Sequence, residues 1–188
     1  MSHRRLAGVV LTGGSSERMG VDKATLVVDG KPMAVRVADA LWEAGCHPVE
    51  CQGGDVLGIS EFGLDVIADR DPGRGPLAGI HEALVRHEDC DVVVAACDLV
   101  DLDGATVREL VAAGGEASPA DAVVAISGEQ RHLVCWWRAG SAVLVGELLD
   151  DGVTSYRAAL ERLQTVDVEV EPTTIRNVNT PTDLEHRG

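Results

Sequence analysis

The sequence predicts an α/β chain with a mostly parallel central sheet, and three observations carry that prediction. Strand-like and helix-like patterns alternate along all 188 residues, with no internal repeat, low-complexity segment or linker between them. Two strand-like runs, residues 6–11 and 91–96, are almost wholly apolar and rich in valine, as in strands covered on both faces. Each run stops at residues suited to a ligand rather than to a core, Thr12-Gly13-Gly14 after the first and Cys97-Asp98 after the second. In open α/β sheets, ligands bind beyond the carboxyl ends of the strands.

The stretch that follows the first strand organises the chain. Paired glycines leave backbone N–H groups free, and without Cβ atoms a phosphate can approach them closely. Arg18 and Lys23 follow in the same loop and are both cations suited to phosphate. By itself the segment is a glycine-rich turn; with its two cations it reads as a triphosphate cradle. It is not a Walker A loop, because five residues separate Gly14 from Gly20 and Lys23 comes later. The dinucleotide pattern G-x-G-x-x-G is absent as well.

Further along, residues 25–28 with Asp29-Gly30 are expected to make a short extended piece and a turn. Pro32 suits the start of a helix, whose stripe is Val35, Ala38, Leu41 and Trp42 and whose natural stop is Gly45. Trp42 is expected to fill the core. Residues 47–51 form a second strand and residues 66–68 a third, closed by Asp69. A loop with Arg70, Gly73, Arg74 and Gly75 leads into a helix over 77–87, with Leu77, Ile80 and Leu84 as its buried stripe. His81 and His87 are six apart rather than four, so they cannot form a metalloprotease pair and read as surface helix residues. Asp98 could cap the next helix, a role open equally to Asp101 or Asp103. That helix spans about 105–113, and strands at 121–126 and 132–137 follow. Trp136 and Trp137 alternate faces, so one of them is expected at the surface. Two helices, 140–149 and 155–163, precede a last strand at 165–170. Near the end, Thr180 and Pro181 suit an N-cap and the first helical position, but Asn177 and Asn179 have no such structural explanation.

Composition narrows the function. Hydrophobic residues are 45% of the chain but aromatics only 3%, so a single domain must build its core from aliphatic side chains. No apolar run reaches the ~20 residues that span a bilayer, and no signal-peptide pattern precedes the first strand, so a cytoplasmic protein without a membrane partner is expected. Five cysteines without C-x-x-C spacing suggest neither a disulfide framework nor a zinc site. A formal net charge of −15 opposes nucleic-acid binding. The 16 basic residues are fourteen arginines and two lysines, Lys23 and Lys31, both expected near the cradle. That bias fits either a high-salt surface or the codon usage of a GC-rich genome.

Residues 11–23, LTGGSSERMGVDK, closely resemble the signature loop L-A-G-G-x-x-x-R-M-G-x-D-K of the nucleotidyltransferases that attach a nucleotide to molybdopterin. Only Thr12 departs, standing where that family usually has alanine. Gly75-Pro76-Leu77-Ala78-Gly79 matches the family's G-P-L-A-G, and the segment 177–184 matches its N-x-N-T-P-x-D-L. Cys97-Asp98 matches P-C-D-x-P without its prolines, since Ala96 and Val100 replace them. The four elements run in order through nearly the whole chain. The resemblance is to the molybdenum cofactor guanylyltransferases, and it implies a three-layer α/β/α, Rossmann-like nucleotidyltransferase fold. A single domain over 1–188 would bind the nucleotide with its N-terminal part and molybdopterin with its C-terminal part.

Carried over residue by residue, the resemblance implies that Leu11, Thr12, Gly13, Gly14, Lys23, Asp69, Gly79 and Asp98 bind the nucleotide. Arg18, Lys23 and Asp98 would be catalytic, Asp98 would hold magnesium, and Asn177 and Asn179 would meet the acceptor. The family's asparagine after the second strand falls near Cys51 and is not carried over. The implied reaction moves GMP from GTP to the terminal phosphate of molybdopterin and releases pyrophosphate. Other proteins of molybdenum cofactor biosynthesis, or the acceptor enzymes, are the implied partners. Two alternatives stay open: a cytidylyltransferase or other NTP transferase acting on a phosphorylated acceptor, or a degenerate nucleotide-binding subunit, suggested by the lost prolines.

Overall fold

The computed structural model describes residues 5–13, 22–116 and 120–178. The first buried run becomes β1 (Arg5–Leu11), and its neighbours in the sheet are β4 (Val49–Gln52) and β6 (Cys90–Ala96), both parallel to it. Next to β4, β5 (Asp65–Ile67) closes that edge, also in parallel. On the other side of β6 lie β8 (Gln130–Trp137), β7 (Ala122–Ser127) and β9 (Thr165–Glu169). The seven-stranded order is β5-β4-β1-β6-β8-β7-β9, and only β8 runs against the rest. The sheet is therefore mostly parallel, as expected from its continuous apolar runs.

Alternation along the strands feeds two cores. Val10, Val93, Ala95, Val123 and Trp136 face one side, where α1 (Met33–Glu43) packs with Val37, Ala38 and Leu41 and α4 (Gly104–Glu116) with Val107 and Leu110. Ala7, Val9, Val92, Val94 and Trp137 face the other, against α3 (Pro76–Arg86), α5 (Ala142–Asp150) and α6 (Tyr156–Leu160). Helices thus cover both faces and make three layers. A one-turn helix, α2 (Val56–Ser60), capped by the Asp55 carboxylate on the Gly58 N–H, was not legible in the sequence.

Four local expectations need correction. Trp136 and Trp137 do alternate faces, yet both are buried, because each face of β8 is roofed by helices. Trp42 is 37% exposed, since α1 buries its Val37-Ala38-Leu41 stripe and turns Trp42 toward the rim. His87 is no surface residue: its imidazole sits 3.0 Å from Glu50 Oε1. Lys31 is not at the cradle; it pairs with Asp39 from a hairpin of β2 (Val27–Val28) and β3 (Lys31–Pro32). The turn of that hairpin is Asp29-Gly30, both at positive φ (49° and 81°), the backbone that a two-residue connection requires.

Candidate functional site

Because β5, β4, β1 and β6 are parallel, their carboxyl ends share one edge, and the loops that leave them meet there. The carbonyl of Gln52, last in β4, accepts the N–H groups of both Thr12 and Gly13 at 3.0 Å. The Thr12 hydroxyl, buried, donates to the carbonyls of Gln52 (3.1 Å) and Gly53 (2.7 Å). An alanine at this position would lack those bonds, so Thr12 ties the loop after β1 to the loop after β4. The same contact needs glycine. A Cβ on Gly13 would stand 2.5 Å from Asp69 Oδ2, and one on Gly53 (φ +81°) would stand 2.7 Å from Gly13 Cα.

Lys23 opens a single 3₁₀ turn (Lys23–Thr25) fixed by Asp22, whose Oδ1 accepts from the Ala24 N–H at 2.9 Å. Asp22 Oδ2 accepts the Asp55 N–H at 2.6 Å, pinning the end of the glycine loop to the segment after β4. The Lys23 ammonium lies 3.9 Å from Asp98 Oδ2, with the two side chains only 21% and 17% exposed. Burial raises the Asp98 carboxyl above its ordinary range, and Lys23, a backbone hydrogen bond and Asn177 oppose that shift without cancelling it. Asn177 Nδ2 lies 3.4 Å from Asp98 Oδ1, and the Val178 N–H donates to the Asp98 carbonyl at 3.0 Å. The C-terminal segment is thereby held against the end of β6.

The missing prolines do not leave this turn loose. The Leu99 N–H bonds to the Ala96 carbonyl, the Leu102 N–H to that of Leu99, and Arg36 Nε donates to the Val100 carbonyl at 2.8 Å. Nor is Asp98 the cap of α4: Asp103 Oδ1 accepts the Thr106 N–H at 2.7 Å and takes that role. Cys97 is buried beneath the turn, where desolvation pushes its thiol up to about 12 and keeps it a neutral packing group.

A cavity of about 420 Å³ opens along this edge. Leu11, Thr12, Gly13, Lys23, Asp69, Gly79 and Asp98 all line it, so seven residues singled out in the sequence meet in one place. Asn177 joins them through Asp98. Gly14, Arg18 and Asn179 lie outside the described residues. Gly79 sits where the backbone of α3 crosses the strand ends; a Cβ there would meet Leu11 Cδ2 at 3.4 Å and Gln52 Cγ at 3.5 Å.

Sequence reasoning passed over Gln52, Glu82, Arg74 and Leu133, which also line the cavity. Gln52 had a usable signal: it is polar, stands at the carboxyl end of a strand, and follows Cys51 directly. Glu82 had a weaker one, lying one turn beyond Gly79 on α3. The glycine-flanked Arg74 was visible as a loop residue, but only the fold brings its loop over the strand ends.

Among the described residues, no group of three or more His, Cys, Asp or Glu side chains is arranged to hold a metal ion. The mostly buried Asp98 carboxylate, 3.9 Å from the Lys23 ammonium at the end of β6, nevertheless suits a hard divalent cation, because magnesium usually keeps several waters and takes only one or two carboxylates beside substrate phosphates. No helix is long and apolar enough to cross a membrane among these residues.

Comparison with known proteins adds to this geometry. Residues 8–167 match the family model of the MobA-like NTP transferase domain. The molybdenum cofactor guanylyltransferase of Acidiphilium cryptum is 32% identical over 191 aligned positions, covering 98% of this chain and 94% of that protein. Among solved structures, molybdopterin-guanine dinucleotide biosynthesis protein A from Archaeoglobus fulgidus superposes with a TM-score of 0.76 at 24% identity, covering 95% of each chain. The manganese complex of Rv0371C from Mycobacterium tuberculosis superposes with a TM-score of 0.70 at 18% identity, covering 96% of each chain.

Proposed function

Since the chain belongs to the MobA-like NTP transferase family, we propose that it transfers GMP from GTP to the terminal phosphate of molybdopterin, giving the guanine dinucleotide cofactor and pyrophosphate. The observation that carries this reading is the meeting of Lys23, Asp98 and the Thr12-Gly13 loop on one cavity, with Asn177 tied to Asp98. The division of labour follows the topology. Loops after β1, β4 and β5 and the start of α3 hold the nucleotide, and the C-terminal segment with Asn177 and Asn179 meets the acceptor.

An oxygen of the acceptor phosphate bonds to the α-phosphorus of GTP, the bond from that phosphorus to the bridging oxygen breaks, and pyrophosphate leaves with the electron pair. Two anions must approach, so the barrier is electrostatic and entropic. Lys23 and Arg18 lower it by stabilising charge on the leaving pyrophosphate. The acceptor phosphate is ionised at neutral pH, so no general base is assigned. Family members typically use a divalent metal; here Asp98 would hold magnesium, which neutralises phosphate charge and aligns the reacting groups when bound. The Rv0371C neighbour, solved with manganese, supports a metal of this class. Five free cysteines, all buried, are consistent with a reducing, cytoplasmic setting.

The test is pyrophosphate release from each of the four ribonucleoside triphosphates, with and without molybdopterin. Release that requires both GTP and the acceptor is expected. Preference for CTP would favour a cytidylyltransferase, and nucleotide binding without release would favour a non-catalytic subunit.

A further inference from the structure

The cavity has a second polar cluster that the transfer chemistry does not use. Gln52, at the end of β4, is 1% exposed, and every polar atom of its side chain is engaged. Its Nε2 donates to Asp69 Oδ1 at 2.9 Å and to Glu82 Oε2 at 3.0 Å, while its Oε1 accepts from Arg86 Nη2 at 2.7 Å. Arg86 is fixed in turn by Glu50, whose carboxyl burial would raise but which hydrogen bonds from His87 and Arg86 hold below its usual range. Turned over, the amide would aim its oxygen at two carboxylates and its NH₂ at a guanidinium, so this network dictates its orientation. The outcome is two carboxylates drawn together on the cavity wall by one amide.

Their position assigns them to one end of the ligand. Lys23 and Asp98 belong to the side of β1 that faces β6, whereas Gln52, Asp69 and Glu82 belong to the β4, β5 and α3 side. A nucleotide with its phosphates at the first end lays its base toward the second. Carboxylates only accept hydrogen bonds. Guanine alone among the common bases offers two adjacent donors on one edge, the N1–H and the 2-amino group. Adenine and cytosine set a ring acceptor beside their amino group, and uracil sets carbonyls on both sides of its N–H. Asp69 Oδ2 is turned into the Gly13–Gly53 contact, while Glu82 reaches in from α3 and, among the described residues, its two oxygens otherwise share the Arg70 N–H at 3.2 and 3.3 Å.

The geometry points to Glu82 as a specificity-determining residue, held beside Asp69 by the Gln52 amide and accepting the adjacent N–H donors of guanine. This assignment rests on the guanylyl-transfer reading above. Glu82→Gln keeps the size of the side chain and replaces one acceptor oxygen with a donor. Turnover of GTP is compared with that of ITP, which lacks only the 2-amino group. A hydrogen bond to a charged group is worth roughly 1.5–3 kcal/mol, so the wild type should prefer GTP by about ten- to a hundredfold. Glu82→Gln should reduce that ratio to within about threefold. Inosine keeps the N1–H, so ITP turnover should fall as well but by less than GTP turnover, and an unshifted thermal midpoint shows that the variant is folded. Competition binding of GDP against IDP reads the same ratio without turnover, and Glu82→Asp, which keeps the charge, should preserve part of the preference. An unchanged GTP/ITP ratio in Glu82→Gln, or equal loss of both nucleotides, would overturn the assignment alone. A wild type that prefers CTP or ATP would overturn the guanine reading itself, and this assignment with it.

Discussion

Asp98→Asn is expected to remove most transfer activity while leaving the protein as stable as the parent, or more so. The carboxylate lies 3.9 Å from the Lys23 ammonium, a gross attraction of about 4 kcal/mol at an effective dielectric constant near 20. Burial still holds the carboxyl above its ordinary range, so desolvation outweighs that attraction and the ionised form costs stability. Asparagine relieves that cost, keeps an oxygen for the Asn177 amide, and leaves the backbone bond from Val178 untouched. The sign follows from linkage. Below the unfolded value of 3.8 the group is protonated in both states and costs nothing; between 3.8 and the raised folded value the unfolded chain ionises first and the cost accumulates, and above the folded value it is complete.

The thermal midpoints of Asp98→Asn and wild type should therefore converge in acid and separate at neutral pH with the variant higher. Each 1 kcal/mol would read as about 2–4 °C in a protein of this size. Activity moves the other way. Losing one well-placed electrostatic partner of a transition state typically costs about 10²–10³-fold in kcat, and nucleotide affinity should fall far less. Melting curves at pH 4 and pH 7.5 with single-turnover rates make the assay. A variant that melts several degrees lower at neutral pH, or one that retains full activity, would refute the reasoning.

Lys23→Ala should weaken GTP binding and turnover together by roughly ten- to a hundredfold, because it removes a charge from phosphates held in both ground and transition states; unchanged kinetics would reject the cradle. Two adjacent glycines of α4 should respond with opposite signs. A Cβ on Gly114 would overlap the Trp136 ring, so Gly114→Ala should destabilise by about 1–3 kcal/mol, whereas Gly115, open on all sides, should gain up to about 1 kcal/mol as alanine, both read by denaturant melts. The net charge of −15 should make the midpoint rise between dilute buffer and molar salt as self-repulsion is screened; a flat response would leave codon usage to account for the acidic composition.

Elements buried on both faces were legible in the residues themselves. Residues 6–11 and 91–96 could be little else than central parallel strands; Gly13, Lys23 and Asp98 could be named from local chemistry, whereas Asp69 and Gly79 were named through the family resemblance. The mostly parallel frame follows from those runs, and their endings point to the edge of the sheet where a ligand is expected; the three layers came from the family resemblance. Strand order, and everything that depends on covering, belonged to the tertiary structure. Trp136 and Trp137 are both buried only because helices lie on both faces of β8, and Trp42 is partly exposed only because α1 rolls another stripe inward. Glu82 and Arg86 stand four apart on one face of α3, but Gln52 lies 30 residues before Glu82 and no periodicity links it to them. Their network exists because parallel pairing brings the end of β4 beneath α3, where buried polar groups must find partners or pay the full cost of desolvation.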